Sequence, residues 1–162
     1  MSSGTSPRDL IERLEQECIG LLSRLKGLVE TVPVQLLYET AFDLPTSVGE
    51  NIVRSAATLE QAFGGLTTNL WDDPHEWTLP ETLSSTERIT EYLGEVDDAR
   101  TRAFASLVDD SALEKYIAMP SGEQASIQAL LVNALKTAKN FEQRAAETHE
   151  ILFADRPPRF II

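Results

Sequence analysis

Residues 47–66 read SVGENIVRSAATLEQAFGGL. Ser47-Val48-Gly49-Glu50 has the form of a capping box. In it the serine oxygen accepts from the N3 amide and the glutamate reaches back to the serine amide. Behind the box, Val48, Ile52, Ala56, Leu59, Phe63 and Leu66 recur at spacings of three and four. That rhythm gives a helix one apolar face. Gly64-Gly65 is expected to loosen its last turn.

The same rhythm extends to both sides. From Pro7 to Val32, Leu10, Leu14, Cys18, Leu21, Leu25, Leu28 and Val32 form one seam, with Ser6 placed to cap and Pro7 at the first helical position. Ser84-Ser85-Thr86-Glu87 is a second capping box. It opens a helix lined by Ile89, Leu93, Val96, Ala99, Ala103 and Leu107, with Tyr92 and Phe104 beside them. A fourth helix is expected from Ser126 to Leu152, with Ile127, Leu131, Ala134, Ala138, Phe141, Ala145 and Leu152 as its seam. Between the last two, Asp110 to Leu113 reads as a short extra turn and Pro120-Ser121-Gly122 as a break. The connection that follows the second helix carries Trp71, Trp77 and His75, and is expected to close one end of a bundle.

Four amphipathic helices make an all-α, up-down-type four-helix bundle the simplest fold, with a long connection between helices two and three. The chain has 162 residues, 42% of them hydrophobic. That suits one domain over 1–162, with tails at 1–6 and 155–162. No long alternation of apolar and polar residues argues for a sheet.

The net charge of −12 repels phosphate backbones and anionic lipid surfaces, which argues against nucleic-acid and membrane partners. No apolar run is long enough to span a bilayer, and MSSGTSPRDL lacks the build of a signal peptide. A single cysteine, Cys18, accords with a cytoplasmic protein and reads as a small buried hydrophobe. The sequence contains no phosphate loop, no HExxH, no CxxC and no nucleophile elbow. His75 and His149 each precede a glutamate but have no second histidine nearby. Asp72-Asp73 and Asp97-Asp98 are pairs of a kind that arise readily among 26 acidic residues. No catalytic group and no cofactor are assigned from the residues alone.

The stretch from Ser47 to Glu60 resembles the start of helix two in the DinB/YfiT-like family, whose members read roughly S-[IV]-G-E-x-[LI]-x-H. Tyr92-Leu93 through Asp110-Ser111-Ala112-Leu113 is similar to that family's third helix and the turn after it. Pro120-Ser121-Gly122-Glu123 and Ile127 to Leu131 are similar to its entry into helix four. The resemblance implies a metal site of one helix-two histidine and two helix-four histidines, and thiol transfer or hydrolysis at that metal. Here the helix-two position is Arg54. The helix-four pair falls on Lys136 and Asn140, with Gln143 on a family glutamine, or on Thr137 and Phe141 if the register shifts by one. Arginine and protonated lysine offer a metal no lone pair.

The resemblance therefore leads to a DinB-like protein without the usual metal, a small-molecule-binding or regulatory non-enzyme. Arg54 and Lys136 are expected to point toward the interior near Asn51, Asn133, Thr137 and Asn140. Two states of that site stay open. Glu91, Glu95 or Asp98 of helix three pairs with Arg54, or a cleft stays open and takes a small anion such as a carboxylate or phosphate. The alternatives are a thiol transferase or hydrolase with a relocated metal, built from His75, His149 and carboxylates, and a homodimer joined through a helix face and the apolar tail Phe160-Ile161-Ile162.

Overall fold

A computed structural model of the chain describes residues 6–40, 44–69, 71 and 83–154. His75, Trp77, Asp72, Asp73 and the apolar tail lie outside the described residues. Four helices account for most of what is described: α1 (Asp9–Thr31), α2 (Val48–Thr68), α3 (Thr86–Ala105) and α4 (Ile127–Ala154). Short 3-10 turns at Val34–Leu36 and Asp110–Glu114 follow α1 and α3. None of these helices is long and apolar enough to cross a membrane.

The class is mainly helical, as expected, with one addition. Tyr116–Ala118 (β1) and Gln124–Ser126 (β2) form an antiparallel hairpin, pairing Tyr116 with Ser126, Ile117 with Ala125 and Ala118 with Gln124. The expected break at Pro120-Ser121-Gly122 is its turn. Gly122 adopts φ 89°, a conformation that favours glycine, and its amide donates to the Met119 carbonyl at 2.9 Å. Strands of three residues are too short to show alternation, so only the turn residues mark them.

The helix starts obey local chemistry with small shifts from the expected positions. Ser47 Oγ accepts from the Glu50 amide at 3.1 Å, but the Glu50 carboxylate turns to Arg54 instead of completing the box. On α3 the cap is Ser85, accepting from Arg88 at 3.1 Å, one residue later than the box read from Ser84. Ser126 Oγ accepts from the Ala129 amide and opens α4. Nor is α2 loosened at Gly64-Gly65. It continues to Thr68 and stops at Asn69, whose φ of 57° is left-handed.

The start of α1 departs most from the sequence reading. Ser6 and Pro7 precede the helix, which begins at Asp9. The capping acceptor comes from Asp110 instead. Its two carboxylate oxygens receive the amides of Leu10 (3.1 Å) and Ile11 (3.0 Å), while its own amide donates to the Pro7 carbonyl at 2.9 Å. Arg8 returns the contact by donating to the carbonyls of Leu107 and Phe104 at the end of α3. Two helix ends thereby satisfy their orphan groups with each other.

The up-down order expected of the bundle is not the one found. Paired residues on α1 and α4 advance together: Glu17 with Lys139, Arg24 with Glu142, Thr31 with His149. Those on α1 and α3 run in opposite senses: Arg8 with Phe104, Glu15 with Arg100. Ser55 Oγ donates to the Ala138 carbonyl at 2.6 Å, and Ala62 shares a cavity with Leu130, so α2 and α4 are antiparallel. It follows that α2 and α3 run the same way, giving an up-down-down-up bundle. Parallel neighbours cannot be joined by a tight turn, which is why residues 69–85 make a long connection.

The core lies between the four helices and holds the predicted seam residues Leu14, Cys18, Leu21, Leu25, Ile52, Ala56, Phe63, Ile89, Leu93, Leu131 and Ala138. Phe63 and Phe104 meet edge-on at 6.0 Å. α2 is the central element, packing on both α3 and α4, so residues on its α4 side border the site described next.

Candidate functional site

Helical spacing on α2 carries Arg54 into line with Thr58 and Gln61, four and seven positions further on. With Ala57, and with Phe141 of α4, these residues line an open pocket of about 200 Å³. A larger cleft of about 460 Å³ adjoins it and shares Thr58 and Gln61. Its walls are Ala62 and Trp71 on the α2 side, Met119, Pro120 and Ala125 of the hairpin, and Leu130, Asn133, Ala134 and Thr137 of α4. The two form one groove between α2 and α4, with a cation at one end and mainly apolar walls at the other.

Trp71 is held at the apolar end by several contacts. Its carbonyl accepts from Gln61 Nε2 at 2.8 Å and its indole N–H donates to Asn69 Oδ1 at 3.0 Å. Its ring lies over Gly65, where an added Cβ would come within 2.4 Å of it. The glycine that read as a weak point of α2 is the seat of this tryptophan.

Arg54 Nε lies 3.2 Å from Glu50 Oε2, one turn back on the same helix. The pairing expected with Glu91, Glu95 or Asp98 is absent, because those three are exposed on α3 while Arg54 faces α4. The α3 carboxylate that does pair is Asp97, which binds Arg100, and Arg100 also reaches Glu15. The Arg54 side chain is 38% exposed, and its two terminal nitrogens have no partner among the described residues.

The other sequence candidates divide. Asn133 and Thr137 line the larger cleft. Lys136 and Asn140 do not border the groove; both are exposed, so the expectation of a second cation near the interior is corrected. One residue is a 100° step around a helix, and the shifted register, Thr137 and Phe141, is the one that meets α2. Asn51 is buried in the core, outside the groove. Its Nδ2 donates to Thr46 Oγ1 (2.8 Å) and to the Ser47 carbonyl (3.0 Å), and its Oδ1 has no partner among the described residues.

Guanidinium, hydroxyl, amide and phenyl groups line the cavity at Arg54, and that donor set does not fit a divalent metal. His149 stands at the far end of α4, with Nε2 3.1 Å from Thr31 Oγ1 and its ring 4.4 Å from Phe153. Among the described residues no three histidine, cysteine or acidic side chains gather in a group able to hold a metal ion. Arg144 sits over the ring of Phe141 at 5.5 Å, a second cation close to the groove that the sequence reading passed over.

Comparison with protein-family models, with curated proteins and with solved structures finds no match to this chain.

Proposed function

We propose that this chain is a DinB-like small-molecule-binding protein that works without the family's metal, and that it holds a small anion in the groove between α2 and α4. One observation carries the reading. Arg54 borders a cavity with its terminal nitrogens unpartnered among the described residues, at the helix-two position that the resemblance assigns to a metal ligand. A guanidinium fork is built to receive two oxygens of one anion. Glu50 engages only Nε, so the outer face of the fork is left to a ligand.

The test is thermal stabilisation by formate and acetate, compared between the wild type, Arg54→Gln and Lys136→Gln at constant ionic strength. The reading predicts a saturable rise in melting temperature that Arg54→Gln loses and Lys136→Gln keeps. An equal rise in Arg54→Gln would assign the effect to salt and remove the site.

A further inference from the structure

We infer that the ligand is an amphipathic monocarboxylate, with its carboxylate on Arg54 and an apolar body lying along the groove against Trp71. The inference rests on the reading that Arg54 receives an anion and adds to it the chemistry of the rest of the molecule.

Charge sets the head group. Among the described residues Arg54 is the one cation that lines the groove, Arg144 standing outside it over the Phe141 ring, and Glu50 already neutralises part of Arg54. The wider protein carries a charge of −12. A dianionic phosphate calls for more positive charge than this, whereas one carboxylate matches one guanidinium fork.

The walls set the body. Beyond Thr58 and Gln61 the cleft is bounded by Ala62, Trp71, Met119 and Leu130. These surfaces gain by removing apolar area from water. Beyond Thr58 and Gln61, the cleft's polar groups are Ser121 of the hairpin and Asn133 and Thr137 of α4. A cleft of about 460 Å³ is within the range of small-molecule pockets and is confined on three sides, by α2, α4 and the hairpin.

The helix sets the length. Arg54 and Ala62 are eight positions apart on α2, which corresponds to about 12 Å along the axis. A ligand that touches both ends of the groove must place its apolar end roughly 10 Å from its carboxylate. A phenyl ring on a short alkanoate has that reach; acetate does not.

The experiment uses 4-phenylbutyrate, acetate and 4-phenylbutyramide, titrated into the full chain and followed by calorimetry. A Trp77→Phe background leaves Trp71 as the sole tryptophan, so its emission gives a second signal. The inference predicts that 4-phenylbutyrate binds at least about tenfold more tightly than acetate, from the apolar area it buries. It also binds about tenfold more tightly than the neutral amide, and Arg54→Gln lowers it to the amide's level. Thr137→Phe, which fills the cleft from an exposed position, lowers 4-phenylbutyrate affinity by a similar factor. If acetate binds as tightly as 4-phenylbutyrate and both need Arg54, the anion reading stands and this inference falls. If the amide equals the acid and Arg54→Gln changes nothing, the groove is an apolar site and both fall. Absence of binding by all three probes overturns both as well.

Discussion

Glu50 and Arg54 share one face of α2, with Oε2 and Nε 3.2 Å apart, and this pair sets the electrostatics of the groove. Both side chains are partly exposed, so the pair itself contributes at most about 1 kcal/mol to stability. Its larger consequence is competition. A bound anion must share Arg54 with a carboxylate already present.

Glu50→Gln is therefore expected to strengthen anion binding several-fold at low salt, with the gain shrinking as ionic strength rises. Titration of the variant with 4-phenylbutyrate at two salt concentrations checks this. Unchanged or weaker binding would mean that Glu50 orients the guanidinium more than it neutralises it.

Asp110 holds the first turn of α1 from a hundred residues away. Asp110→Ala leaves the amides of Leu10 and Ile11 without their acceptor and should cost about 1–2 kcal/mol in urea unfolding. Asp110→Asn keeps one acceptor oxygen and should fall between. A loss within error for Asp110→Ala would show that water replaces the cap at no cost.

The thiol of Cys18 is buried in the core seam, and burial pushes it up to about 12 against a weaker opposing pull from Arg100. Near pH 8 its thiolate is about a thousandfold scarcer than that of a free cysteine. Labelling by a disulfide reagent should wait for global unfolding and track its rate. Rapid labelling of the native protein would place Cys18 outside the core.

His149 is held below its usual range because burial disfavours the imidazolium, an effect only partly offset by Glu150. A base that protonates less readily when folded gives the unfolded chain more protons. Stability is thus undiminished above the ordinary histidine value of about 6.5 and falls as pH drops through it. The loss is complete below the native pKa. Between about pH 7.5 and pH 5.5 the wild type should lose more melting temperature than His149→Gln. Parallel losses in the two proteins would assign the pH response to other groups.

The helices were legible because each carries a seam of three-and-four spacing, and α2, α3 and α4 each begin after a serine. What the sequence could not display was partnership across distance. Nothing local marks Asp110 as the cap of α1, and nothing near Glu91 or Asp98 says that Arg54 faces α4. The groove was half legible. Arg54 and Thr137 came from the resemblance and its alternative register. Thr58 and Gln61 follow from Arg54 by helical spacing alone and were available to the same reasoning. The wall made by Met119 and Pro120 required the hairpin, whose strands are too short to leave a periodic signal. Gly65 misled because glycine in a helix ordinarily weakens it, and only the position of Trp71 shows what its missing side chain accommodates.

The most direct measurement is the guanidinium resonance of Arg54 in arginine-labelled protein, identified through Arg54→Gln and followed during titration with 4-phenylbutyrate. The account predicts that the Arg54 Nε–H signal shifts and saturates, while those of Arg24 and Arg100, engaged with Glu142, Asp97 and Glu15, stay in place. If Arg54 does not move, or moves in proportion to added salt together with the other arginines, the groove does not bind an anion and the proposed function is wrong.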